Sequence, residues 1–408
     1  MSCFKWFLVL LILPGSLVAG DWPQILGPNR NGIAASDEKL SGEWPKSGPQ
    51  LKWEKEVGHA YAGIAVQGTT AILFHRVGQE EVVEALSTAD GSTLWKDSYP
   101  TDFYPQVGGG DGPLCVPTIV GDSIVTYGAQ GVLTCLDLKT GKRRWQRDTH
   151  RDFGAQEGYF GAGSAPIVVK DKVVVNVGGS RENAGIVAFD LKSGETIWKK
   201  TREPASYAAP TIATIAEYPH VLMITRYECM LLDPDTGVTR FQFKFGQRGP
   251  TVNGATPIVT DDHLFVTSAY GVGSVYAAFN ILEYKVEWET DKIGSQYCTP
   301  ILHNDRLYLI DGRDDIPPAD FKCIELSTGK LLGIEHNFGY GTLIMADGKF
   351  LIAKTNGEII LAKPLENGIQ VISRFKAFRG TLRALPALSN GQLYVRDENV
   401  LKCYEVGS

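Results

Sequence analysis

Followed for its apolar and polar positions, the chain is a long series of short apolar runs broken by turns. Six runs carry a proline near their start: "CVPTIV", "SAPIVV", "AAPTIA", "ATPIVT", "CTPILH" and "ALPALS". Turns rich in Asp, Asn and Gly lead into further apolar runs such as "GDSIVTYG", "KDKVVVNVG", "DDHLFVTS", "NDRLYLIDG", "ADGKFLIA" and "NGQLYVRD". Alternating or continuous β-branched and aromatic residues between such turns predict strands joined in hairpins. No long stretch keeps a 3.6-residue period, so the chain reads as all-β.

A nine-letter phrase sets the period. "DLKTGKRRW" (Asp137 to Trp145) returns as "DLKSGETIW" (Asp190 to Trp198), and looser copies end at Trp95, Phe241, Trp288 and Gly333. The copies lie 43 to 53 residues apart, the spacing of a four-stranded propeller blade. Counting inner-strand and hairpin units gives eight, beginning near Ala62, Leu114, Gly163, Ala208, Gly254, Tyr297, Thr342 and Ala384. The eighth stops after three strands, and "LKWEKEV" (Leu51 to Val57) supplies the fourth. The expectation is an eight-bladed β-propeller of four-stranded antiparallel blades over residues 51–408, its ring closed by that N-terminal strand. Within the phrase, Asp137 and Asp190 suit hydrogen bonds to turn backbone, and Gly141 and Gly194 suit positive φ. Trp95, Trp145, Trp198 and Trp288 each open an outer strand with a large surface to bury. Gly333, in the aromatic's place, is expected to loosen its blade.

The first residues change the picture of where the chain works. "MSCFKWFLVLLILPGSLVAG" has one Lys, a short apolar run, a Pro-Gly break and small residues at its end. This predicts a signal peptide over 1–19, then an extended segment over 20–50. Cys3 precedes the apolar run, which disfavours a lipid anchor. No second apolar run is long enough to span a membrane, so no transmembrane segment is expected after cleavage. A net charge of −6 with interspersed signs excludes a nucleic-acid footprint. The mature protein is expected to be exported, periplasmic or extracellular, and monomeric.

The form A-x-D-x-x-T-G-x-x-x-W, seen as Cys135, Asp137, Thr140, Gly141 and Trp145 and again as Ala188, Asp190, Gly194 and Trp198, resembles the tryptophan-docking motif of pyrroloquinoline-quinone (PQQ)-type eight-bladed propellers. In that family each such Trp packs on the neighbouring blade. The resemblance covers roughly residues 51 to 406. "DWPQILGPNRNG" and "ILFHRVGQEEVVEAL" are similar to exported bacterial PQQ-binding-like β-propeller repeat proteins. A more distant likeness is to the propeller lipoprotein of the outer-membrane β-barrel assembly machinery. The quinone dehydrogenases of this fold would imply adjacent cysteines, calcium ligands and often C-x-x-C-H; this chain has no Cys-Cys, C-x-x-C or C-x-x-C-H.

Other chemistry is thin. Cys135, Cys323 and Cys403 share a slot that Ala85, Ala188 and Ala278 fill elsewhere, so buried free thiols are expected rather than bridges. Asp261-Asp262 falls at a hairpin turn, and Asp314-Asp315 is read as a solvated loop. Seven histidines show no metal-ligand spacing, so no metal is expected. The loops between blades are long, as in "KDSYPTDFYPQVGGGDGP" and "QRDTHRDFGAQEGYFGAG", and would gather at one mouth of the central channel. The candidate ligand-binding residues there are His59, Tyr61, Asp111, Ser206, Tyr207, Asn253, Gln296, Tyr297, Tyr340 and Arg383; the alternative is that they simply plug the channel. Three functions are open: a non-enzymatic binding or assembly scaffold with an unknown protein or small polar ligand and no cofactor, a PQQ- and Ca²⁺-dependent sugar or alcohol dehydrogenase-like enzyme, and another cell-envelope enzyme using the mouth loops.

Overall fold

The computed structural model describes residues 20–249 and 251–407. The expected signal peptide lies outside the described residues. Eight four-stranded antiparallel sheets form the ring. Blades 1 to 7 take their strands in chain order from the channel outward, beginning with Ala65–Gln67, Thr118–Val120, Ile167–Val169, Thr211–Ile215, Ile258–Val259, Ile301–His303 and Gly341–Ala346. Blade 8 combines Ala387–Ser389, Gln392–Arg396 and Val400–Glu405 with Gln50–Glu56 as its outermost strand.

The apolar pattern follows from the layering. Second and third strands, such as Thr70–Val77 and Glu80–Ser87, are buried along nearly their whole length, because neighbouring blades cover both faces. Outer strands such as Arg143–Asp148 are half-exposed and correspondingly polar. Helix among the described residues is confined to Thr149–Phe153 and a 3-10 turn at Arg181–Asn183.

A bulge recurs in the outer strand pair of every blade that carries the phrase, and in most of them it sets a small Ala or Cys opposite the phrase's last residue, while in blade 4 Leu231 faces Phe241. Ala85 pairs with Trp95, Cys135 with Trp145, Ala188 with Trp198, Cys323 with Gly333 and Cys403 with Trp53. Blade 5 corrects the sequence reading: Trp288 faces Tyr276, not Ala278. Its turn is tighter, closed by Asn280 N donating to Glu283 O, so Ala278 pairs with Lys285 instead. All six cysteines among the described residues are buried and free.

Each indole reaches into the next blade. Trp95 Nε1 donates to Leu138 O (3.0 Å), Trp145 to Leu191 O (2.8 Å), Trp198 to Pro234 O (2.8 Å) and Trp288 to Leu326 O (2.8 Å). The ring then lies against that blade's turn glycine. A Cβ on Gly141 would stand 2.4 Å from Trp95, and one on Gly194 2.6 Å from Trp145. Both glycines have φ near +70°, so geometry and space each require glycine there. The turn is held from its start: Asp137 Oδ1 accepts from Thr140 N (2.9 Å) and Asp190 Oδ1 from Ser193 N (2.7 Å).

Gly333 departs from expectation. A Cβ there would lie 1.8 Å from Asn367 O, so the missing aromatic lets blade 7 come closer rather than leaving a gap. Tyr308 supplies the lost cross-blade bond, its hydroxyl donating to Leu365 O at 2.8 Å.

Residues 20–49 form no strand of a blade. They run across the ring on the side of the first hairpin turns. Asp21 accepts from Gly68 N (2.8 Å), Trp22 bridges Val66, Ala34 N donates to Met345 O (2.8 Å), and Glu38 accepts from Asn390 N (3.0 Å). Midway, Arg30 is buried in the channel. Its guanidinium donates to Ala165 O, Pro166 O, Pro210 O, Thr118 Oγ1 and Gln24 Oε1, tying blades 2, 3 and 4 to the crossing segment. Burial lowers its pKa to about 9.

Candidate functional site: the channel mouth

With one end of the channel crossed by residues 20–41, the other end remains open. It is the side reached by the loops between blades. Chain direction alternates within a blade, so the turns between second and third strands come to the same side. Together these loops wall a cavity of about 990 Å³ whose floor includes Ile25 of the crossing segment.

Five of the ten candidate residues line it: Tyr61, Tyr207, Gln296, Tyr297 and Arg383. The other five do not. His59 pairs with Asp111 (2.9 Å) at the exposed outer edge. Ser206 and Asn253 are buried and clamp one loop to the next: Ser206 Oγ donates to Asn253 O (2.9 Å), and Asn253 Nδ2 donates to Thr225 O (3.0 Å). Tyr340 lies beneath the wall, its hydroxyl accepting from Tyr297 N (2.7 Å) and Cys298 N (3.0 Å). These three hold the mouth's backbone in place and leave its surface to others.

The structure adds residues that the sequence reading passed over. Tyr159 and Phe160 come from the long loop between blades 2 and 3, Tyr270 from a hairpin tip in blade 5, and Arg313, Asp314 and Asp315 from a hairpin in blade 6. The loop "DGRDDIPPAD" therefore brings its first residues, Arg313 to Asp315, onto the mouth, while residues 315–318 remain exposed to solvent as expected. The signal that could have found it is topological, since alternation places second hairpins on the same face as the long loops.

Charges at the mouth are paired. Arg383 Nε donates to Asp314 Oδ2 at 2.7 Å and its Nη1 to Tyr61 Oη at 3.2 Å. Burial works against the Arg383 cation, but Asp314, Tyr61 and Tyr297 hold its pKa above the usual value. Arg313 Nε donates to Asp315 Oδ1 at 3.0 Å, which keeps that carboxyl below its usual range. Gln296 ties the two halves together, accepting from Asp314 N (2.8 Å) and donating to Tyr270 Oη (2.7 Å). Burial, with Tyr340 and Asp314 beside it, drives the Tyr297 phenol well above its ordinary pKa, and its hydroxyl is covered next to Asp314 without a well-formed hydrogen bond.

A family model described as outer membrane protein assembly factor BamB matches residues 79–332, more than half of the chain. The chain belongs to this family. Within the PQQ-like propellers it is also similar to two enzymes over shorter stretches. Quinohemoprotein alcohol dehydrogenase ADH-IIG of Pseudomonas putida is 29% identical over 144 residues, 33% of this chain and 19% of that one. The quinohemoprotein alcohol dehydrogenase of Comamonas testosteroni is 27% identical over 138 residues, 32% of this chain and 18% of that one. The chain thus spans about a fifth of the length of these relatives.

Among solved structures, BamB from Moraxella catarrhalis superposes with a TM-score of 0.64 at 19% identity, covering 88% of this chain and 99% of that one. A europium-containing methanol dehydrogenase gives 0.68 at 14%, covering 92% and 89%. At such identities the likeness is one of fold.

The mouth does not fit the calcium and quinone of the dehydrogenase branch. Its two carboxylates, Asp314 and Asp315, are each committed to an arginine. Among the described residues no group of three or more His, Cys, Asp or Glu side chains could share a metal ion. A hard cation such as Ca²⁺ takes six to eight oxygen ligands, several of them carboxylate, and this donor set would have to break both pairs to begin. Nor is any helix among the described residues long and apolar enough to cross a membrane.

Proposed function

We propose that this BamB-family chain is an exported, non-enzymatic binding propeller of the assembly-factor kind, presenting its channel mouth to a ligand or partner. One observation carries the reading: an aromatic-walled cavity of about 990 Å³ in which both carboxylates are already neutralised by arginines. General acid–base work needs a carboxyl group free to exchange a proton with the substrate, whereas binding needs a preformed, largely apolar concavity with a few fixed polar groups. The leader-like N-terminus supports export, and the rigid ring with long loops on one face supports a scaffold role.

The alternative, a quinone-dependent dehydrogenase, rests on the partial likeness to the alcohol dehydrogenases. Titration of the purified mature protein with PQQ and Ca²⁺, followed by tryptophan fluorescence and dye reduction, separates the two. The expected result is no saturable quenching and no turnover; tight binding with dye reduction would overturn the scaffold reading. As a positive test, a photo-crosslinker at Val107 on the mouth is expected to trap a discrete envelope component that the same group at Lys139 does not. Equal labelling from both positions would argue against a mouth-directed partner.

A further inference from the structure

The walls of the mouth define what it would hold. Flat rings arrive from several blades: Tyr61, Tyr159, Phe160, Tyr207, Tyr270 and Tyr297. Such a cage ordinarily attracts a cation to its ring faces. Here the protein has used those faces itself, since Arg383, Arg313 and Arg226 lie 5.3, 4.3 and 5.6 Å over Tyr61, Tyr270 and Tyr159. An anion fares no better, because Arg383 and Arg313 are already bonded to Asp314 and Asp315 and Arg226 spends its guanidinium on the carbonyls of Thr251 and Gly249. The complementary ligand is uncharged, with a flat apolar face for the rings and hydrogen-bonding groups around its edge.

The edge partners are present. The Arg383–Asp314 pair and the Gln296 amide line the cavity and offer planar donors and acceptors with spare valence, whereas the Tyr297 hydroxyl is covered within the wall beside Asp314. A pyranose ring matches this arrangement, with C–H groups on its faces and hydroxyls on its rim. At about 990 Å³ the cavity lies at the upper end of ligand pockets, roughly 300–1,000 Å³, which favours several linked sugars over one.

We propose that the mouth binds a neutral oligosaccharide, stacked on the lining rings that no arginine covers, Phe160, Tyr207 and Tyr297, and hydrogen-bonded at its rim by Gln296 and the Arg383–Asp314 pair. The proposal rests on the reading of the mouth as a binding face. The test is isothermal titration of the mature protein with neutral hexaoses of the cellulose, amylose, xylan, mannan and chitin types, with hexagalacturonate, a neutral extended octapeptide, and PQQ with Ca²⁺ run alongside. Saturable binding of at least one neutral hexaose is expected. Tyr207→Ala and Gln296→Ala should each weaken it by about tenfold, the worth of one lost stacking face or hydrogen bond, while Lys139→Ala leaves it unchanged. Gln296→Ala leaves every ring in place and so reads the rim apart from the stacking; far-ultraviolet circular dichroism checks that both variants fold. Binding of none of the five hexaoses, tighter binding of hexagalacturonate, or binding indifferent to both variants overturns the proposal. If only the octapeptide binds, the ligand class is wrong and the scaffold reading stands; if PQQ binds with turnover, both fall.

Discussion

Arg30→Met tests whether the N-terminal segment is part of the fold or merely laid on it. In the native protein the guanidinium is 2% exposed and reaches five acceptors on blades 2, 3 and 4 and on Gln24. Methionine matches the length of the stem but donates nothing. Three buried carbonyls, those of Ala165, Pro166 and Pro210, lose their charged donor, and Pro166 O alone keeps another, Thr118 Oγ1 at 3.1 Å. At about 1–3 kcal/mol for each of the two groups left unsatisfied, the gross loss is about 2–6 kcal/mol. Against this stands the recovered cost of burying a cation that has no carboxylate partner among the described residues, several kcal/mol in comparable settings. The net expectation is a loss of about 1–3 kcal/mol, felt first by the segment. Urea denaturation should show a lower midpoint, and hydrogen exchange should show the amides of Trp22 and Ala34, now bonded to Val66 O and Met345 O, losing protection before those of the blades. Wild-type stability together with unchanged protection at Trp22 and Ala34 would refute the idea that Arg30 pins the segment.

Three further perturbations probe the ring. Trp198→Ala removes a buried indole bonded to Pro234 O at 2.8 Å and should cost about 3–5 kcal/mol, whereas Trp198→Phe, which imitates the natural Phe241, should cost about 1 kcal/mol; equal losses in urea titrations would discount the cross-blade bond. Gly333→Ala, which looks harmless in an exposed-looking outer strand, should destabilise by about 1–3 kcal/mol because its Cβ meets Asn367 O; a neutral or stabilising melt would mean the blades can part freely there. His150 is buried against Gly131 and its pKa is lowered by burial to about 4. The folded state binds this proton less readily than the unfolded chain, so stability is full above pH 6.5 and falls as pH drops toward 4, by about 3 kcal/mol from this group. His150→Gln should flatten that part of the pH–stability curve, and an unchanged slope would refute the assignment.

The blades were readable in the sequence because a blade is a local object. Its four strands, its turns and the bulge that sets Trp145 opposite Cys135 all lie within about fifty residues of chain, and the repetition of such units exposes the rule. Even the closing strand could be found, since Trp53 must face a small slot and Cys403 supplies one. The errors came where a hairpin changed length. In blade 5 the shorter turn shifted the register, so that Tyr276 rather than Ala278 faces Trp288. In blade 6 the absent aromatic was met by a closer approach and a new partner, Tyr308, and a change in distance between blades leaves no mark in the letters of either.

The mouth was harder for a different reason. A polar residue next to an inner strand can face the cavity or fasten the neighbouring loop, and sequence position is the same in both cases. Gln296 and Asn253 illustrate it: one lines the cavity, while the other spends its amide on the carbonyls of Thr225, Arg226 and Phe245. What decides between them is whether uncapped loop carbonyls lie within reach, a property of tertiary structure. The crossing segment was hidden on the same grounds, because Arg30 bonds to backbone carbonyls 135 to 180 residues away, and backbone carbonyls carry no sequence signature. Its consequence for function is nevertheless direct. By closing one end of the channel and placing Ile25 at the floor, it converts a through-hole into a cup, and a cup with an aromatic wall whose charges are already engaged can retain an uncharged ligand that an open channel would let pass.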